Sequence, residues 1–159
     1  MEQKILSRWL KLVVVGVGIC GLVVYALILP LYGQSLVGSN PEMAYRYWPW
    51  LIFLWLTGVP CYIALVIGWK IAVNIGLDRS FTANNARYLK RIALLAAGDT
   101  VFFFVGNIVL LFANMSHPGV VLFSLLIVFA GVAVSVAAAA LSHLVLKAAQ
   151  LQEQSDLTI

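Results

Sequence analysis

Charge is scarce in this chain. Ten Lys and Arg and six Asp and Glu make up 10% of its 159 residues. A soluble domain of ordinary composition carries about 25%. There is too little polar surface here to face water on every side. Cysteine is nearly absent as well. Cys20 and Cys61 both fall in apolar runs, with no CxxC and no Cys/His cluster at metal spacing. A metal centre has no support, and the two thiols read as small apolar side chains. No glycine-rich nucleophile elbow occurs. Ser142 and His143 are neighbours, but adjacent helix positions point about 100° apart, so with Asp99 they do not compose a hydrolytic triad. The basic residues do not gather on a folded face, so direct nucleic-acid binding is not expected. No cofactor is expected and no catalytic residue is assigned.

What is present is apolar length. Hydrophobic residues are 63% of the chain and its mean hydropathy is +1.00. Four runs approach the ~20 residues that cross a bilayer: about 12–31, 48–70, 92–114 and 120–146. The first is longer than the ~7–15 residues of a signal-peptide core and lacks an A-x-A site after it, so an uncleaved span is expected. Gly16, Gly18 and Cys20 flatten one side of it for helix packing. Tyr45, Tyr47, Trp48 and Trp50 open the second span as an interfacial aromatic belt.

Nine of the ten basic residues flank the spans on one side, and Arg46 alone lies on the other. That asymmetry places both termini, the 76–91 turn and the 147–159 tail in the cytoplasm. The expected fold is all-α: an integral membrane antiparallel four-helix bundle in a single domain.

The stretch 76–100, GLDRSFTANNARYLKRIALLAAGDT, organises the rest. Gly76 ends the second helix, and Ser80 or Thr82 caps the third. Arg87, Lys90 and Arg91 set topology and meet anionic headgroups. On the third span Ala96, Asp99, Phe103, Gly106, Asn107 and Asn114 share a face expected to look into the bundle. Asp99 is the one acid inside a span, about 12 Å beyond Arg91. It needs a partner, water or a proton. Counted from Lys147, His143 lies about 6 Å deep, so an Asp99–His143 pair is expected, with Lys70 as a second partner. Such a pair reads either as a helix-register contact or as a lock between spans. Asn107 and Asn114 read as interhelical hydrogen bonds, or as a polar path leading away from Asp99.

Phe81-Thr82 with Asn85, Leu89 and Ile92, together with the ending Leu151-x-Glu153-x-x-Asp156-Leu157-Thr158-Ile159, resembles the bacterial four-span proteins grouped as domain of unknown function 2975. The resemblance implies location in the bacterial inner membrane and no established activity. It also implies a cytoplasmic helix-turn-helix transcription factor as partner. Phe81, Arg87, Glu153, Asp156, Leu157, Thr158 and Ile159 are the candidate docking residues. Leu157 and Ile159 are apolar at a free terminus, which suits a partner groove. The expected function is a non-enzymatic membrane regulator or tether. The alternative is a small transporter or proton pathway centred on Asp99, against which the spans hold few polar groups and no evident inverted repeat. Stripes of small residues such as Gly131, Ser135 and Ala139 leave a homo-oligomer open.

Overall fold

The computed structural model describes residues 2–157, apart from the side chain of Asp156. Four long helices account for nearly all of it. Helix α1 runs Glu2–Ser39 and contains one π-helical turn, Val24–Ile28. A short 3-10 turn, Pro41–Met43, leads into α2, Ala44–Gly76. Helix α3 runs Ala83–Phe112 and α4 runs Pro118–Leu157. All four are long and apolar enough to cross a membrane. Their outward surfaces are rich in exposed Leu, Val, Ile and Phe, as lipid-facing surfaces require.

The helices pack in chain order: α1 on α2, α2 on α3, and α3 on α4. Among the described residues no Cα of α1 lies within 8 Å of α3 or α4, and none of α2 lies within 8 Å of α4. The bundle is therefore an open series of antiparallel neighbours, with α2 the most enclosed helix.

Polar groups set each pairing. Between α1 and α2, Ser7 Oγ donates to Ala72 O at 2.6 Å, Tyr62 Oη to Gly18 O at 2.8 Å, and Trp55 Nε1 to Tyr25 O at 2.9 Å. Gly18 and Gly21 meet Leu65 and Tyr62 there, whereas Gly16 has open space beside it and Cys20 is exposed. The packed face of α1 is thus rotated from the Gly16–Cys20 face expected from sequence. Between α2 and α3, Phe53 stacks on Phe103 and fills the gap left by Gly106. Between α3 and α4, Ser135 Oγ donates to Ala93 O at 2.9 Å and Ser142 Oγ to Ala86 O at 2.7 Å. Gly131 lies against Thr100 with no room for a Cβ. Small residues at such a crossing let two backbones approach closely.

Two helix ends use the same device. After α2, Asp78 adopts φ 62°, Asp78 N–H donates to Ile75 O, and Arg79 N–H donates to Asn74 O. After α3, Asn114 adopts φ 55°, with its N–H bonded to Leu111 O and Met115 N–H to Leu110 O. Both are Schellman motifs, which satisfy the last carbonyls of a helix through one left-handed residue. Asp and Asn take that position here in place of glycine, as their short polar side chains permit. Asn114 is accordingly an exposed helix terminator and does not extend the polar face of α3 as the wheel suggested.

Candidate functional site

The 76–91 turn is built around Asn85, which is 1% exposed. Its Nδ2 donates to Arg79 O and Ser80 O, each at 3.0 Å, and its Oδ1 accepts from Asn74 Nδ2 at 2.7 Å. Thr82 caps α3 by accepting from Asn85 N–H at 3.3 Å. One side chain thus ties the end of α2, the turn and the start of α3 together. Ser7 approaches Gly76 so closely that a Cβ there would lie 2.7 Å from its Oγ, so α1 closes the same corner.

That turn faces a cleft of ≈ 600 Å³. Asp78, Arg79 and Phe81 line it from the turn, Gln152, Glu153 and Leu157 from α4, and Gln3 from α1. Helix α4 reaches this far because it continues nearly three turns beyond Lys147. Phe81 is 56% exposed and Leu157 83% exposed. Two large apolar side chains thus stand on the rim of a polar cleft that both turn and tail supply. Arg87 is exposed on the first turns of α3 and Glu153 on α4. Asp156, as a side chain, and Thr158 and Ile159 lie outside the described residues.

The second candidate region is the middle of α3. Asp99 is partly buried. Its Oδ2 accepts from Cys61 Sγ at 3.8 Å, and its Oδ1 is buried without a hydrogen-bond partner. Tyr25 Oη pairs with Thr57 Oγ1 at 3.3 Å on the neighbouring turn of α2. Eight residues further along α3, Asn107 is 1% exposed; its Nδ2 donates to Phe103 O at 2.8 Å, and its Oδ1 is also buried without a partner.

The expected Asp99–His143 pair does not form. His143 is exposed. Its neighbour Ser142 bonds Ala86, while Gly131 is the α4 residue that meets Thr100. Twelve residues, about 18 Å of helix, separate His143 from Gly131. Lys147 does not mark the bilayer edge, because α4 overshoots the start of α3. Counting from the short α3–α4 turn gives the observed pairing. Lys70 is likewise exposed. It lies nine residues, about 13 Å, along α2 from Cys61, so it is no partner for Asp99. Cys61 and Asn85 are the residues whose roles the sequence hid. Cys61 reads from sequence as one more small apolar side chain in the second apolar run. Asn85 was one buried amide in a stretch of Asn, Arg and Lys.

Among the described residues no cluster of His, Cys, Asp and Glu could hold a metal ion. Ser142 gives its hydrogen bond to the Ala86 carbonyl.

These features define a multi-pass membrane protein of four helical spans. The family model described as "Protein of unknown function (DUF2975)" matches residues 31–159, and the chain belongs to that family. The "Uncharacterized membrane protein YoaS" of Bacillus subtilis (strain 168) is 29% identical over 159 residues, covering 99% of this chain and 99% of that relative. No solved structure matches the chain.

Proposed function

We propose that the protein is a non-enzymatic regulator of the bacterial inner membrane that holds a soluble partner at the cleft between the 76–91 turn and the end of α4. The observation that carries this reading is the shared wall: Phe81 and Leu157, 76 positions apart, line one cleft. Asn85 holds the turn in place through three hydrogen bonds. A rigid platform binds more tightly because it loses little freedom on docking. The basic residues concentrated at this end support a cytoplasmic orientation for it. The chemistry of the rim suits an amphipathic partner helix with apolar anchors for Phe81 and Leu157. The family resemblance suggests a helix-turn-helix transcription factor as that partner.

The test is co-purification of the full-length protein in detergent with a helix-turn-helix transcription factor, should one be encoded beside its gene. Retention by the wild type and loss on deleting residues 157–159 or in Phe81→Ser are the expected outcomes. Equal retention by all three would remove the cleft from the reading. No retention by any of them would remove the partner class.

A second reading is favoured by the unpartnered Oδ1 atoms of Asp99 and Asn107. Buried polar atoms without partners cost free energy and call for an explanation, and an intramembrane acid marks a proton or ion route in many transporters. Proton flux into proteoliposomes, abolished in Asp99→Asn, would establish that route. No flux from the wild type would end it.

A further inference from the structure

The opposite end of the bundle holds a second cavity, of ≈ 420 Å³. It lies between residues 29–37 of α1, the beginning of α2, and the α3–α4 turn. Tyr32, Tyr47, Trp50, Leu51 and Leu54 make its walls largely apolar. Three bonds hold those walls in place. Trp50 Nε1 donates to Met115 O at 2.8 Å, Tyr45 Oη to Asn114 O at 3.4 Å, and Tyr47 Oη to Pro30 O at 3.5 Å. An edge of the Tyr47 ring closes on Gly33, where a Cβ would stand 2.7 Å from Cε2. The cavity is therefore preformed, and its size lies in the range of small-molecule sites.

The polar groups on its wall are few and include no carboxylate. Arg46, His117 and Ser116 line it, and no Asp or Glu does. Arg46 Nε donates to Tyr45 Oη at 2.8 Å and the guanidinium lies over the Tyr45 ring. Among the described residues no carboxylate pairs with it. Ser116 Oγ is buried and has no hydrogen-bond partner. A cation without an acid, beside an unused hydroxyl and above an apolar chamber, matches an acidic head joined to a hydrocarbon tail. The planar guanidinium fork suits phosphate oxygens. The Tyr and Trp residues around it belong at headgroup depth.

We propose that this cavity binds one anionic phospholipid from the leaflet at that end, with its phosphate at Arg46 and one acyl chain against Tyr47, Leu51 and Leu54. The site is independent of the docking cleft, which lies at the other end of the helices.

The experiment uses the full-length protein, delipidated in a neutral detergent and titrated with dioleoyl phosphatidylglycerol or dioleoyl phosphatidylcholine. Native mass spectrometry reads the bound lipid. The wild type is expected to retain phosphatidylglycerol in preference to phosphatidylcholine. Removing the charge in Arg46→Gln should lower phosphatidylglycerol retention roughly fivefold, as expected for the loss of one basic side chain near an anionic headgroup, and phosphatidylcholine retention by less, because its choline offsets the phosphate charge. Leu54→Trp keeps the charge but fills the chamber, and should lower retention by a similar factor. Leu36→Phe, on the same wall, takes its place if Leu54→Trp does not elute like the wild type. Wild-type retention by Arg46→Gln would overturn the proposal, because the basic residues at the other end would then account for binding. Wild-type retention by the filled variant would overturn it too, since the headgroup alone would be held. A dimer in place of a lipid adduct would assign the cavity to a second copy of the chain.

Discussion

Helix α3 carries two buried polar regions with opposite characters. At its start, Asn85 uses both amide hydrogens and its carbonyl oxygen on Arg79, Ser80 and Asn74. In its middle, Asp99 has one weak thiol contact, and one oxygen each of Asp99 and Asn107 is buried without a partner. A satisfied network rigidifies the chain around it, whereas a half-satisfied one costs stability and persists for some other reason. The contrast gives Asn85 a structural task, that of holding the turn that walls the cleft, and leaves the buried oxygens in the middle of the helix without one. It also implies that substitutions in the two regions will affect stability very differently.

The largest effect is expected at the turn. Asn85→Ala removes three hydrogen bonds and leaves the Arg79 and Ser80 carbonyls without that donor. The expected loss is about 2–4 kcal/mol, at about 1 kcal/mol or more for each buried group deprived of its partner. Unfolding in detergent micelles, followed by helix circular dichroism, measures it. Asn85→Asp keeps the acceptor but loses both donors, and should fall nearly as far. Wild-type stability in either variant would erase the contrast between the two regions.

Next in size is the crossing beside Asp99. Thr100 and Gly131 leave no room for a Cβ, so Gly131→Ala forces the helices apart or Thr100 out of position. Overpacking of this kind costs about 1–3 kcal/mol. Thr100 Oγ1 donates to Ala96 O within its own helix, so Thr100→Ala alone should cost less. The double variant should recover part of the loss, because residues in direct contact do not act additively. Strict additivity would show that Gly131 matters for a reason other than Thr100.

Much of this architecture was legible in the sequence. Four apolar runs and the scarcity of charge required a membrane protein of four helices. Asp99 was visible as the one acid in a span, and Thr82 as a helix cap. Pairing was harder to read. Depth counted from basic residues placed His143 near Asp99, yet the serines of α4 put His143 opposite the start of α3, through Ser142 and Ala86. Long basic side chains extend toward headgroups from a range of depths, so they locate a helix end only loosely. A five-residue turn locates it closely. Asn85 was hidden for another reason. Nothing in composition separates an amide that bonds three groups from one that faces water, and only the closed turn gives it its partners. The cleft was illegible because only the folded chain brings Phe81 and Leu157, 76 positions apart, to line one cleft.

A smaller change is expected from Asp99→Leu. It deletes an oxygen that has no partner and a long thiol contact. Replacing an unsatisfied buried acceptor with a hydrocarbon is near neutral or stabilising, within about 1 kcal/mol. The same micelle unfolding measures it. A large loss would mean that Asp99 has a structural partner after all, and the middle of α3 would resemble its start. Wild-type stability together with a lost proton flux would separate the two regions completely.

The smallest stability effect belongs to the cleft rim, and it makes the sharpest test of rigidity in the turn. Phe81 follows the two carbonyls that Asn85 holds, at Arg79 and Ser80, and points 56% of its surface outward. Little in the fold depends on that ring, so Phe81→Ser should stay within about 0.5 kcal/mol of the wild type, as surface substitutions do. Partner retention should nevertheless fall sharply, because exposed aromatic anchors carry a large share of interface free energy. Asn85→Ala should weaken retention as well, but by loosening the turn, and a bound partner should then restore part of the stability that Asn85→Ala removes, as any ligand selective for the folded form does. Phe81→Ser should show no such rescue. If Phe81→Ser kept its partner while Asn85→Ala lost stability, the turn would serve the fold alone, and docking would have to be sought on α4.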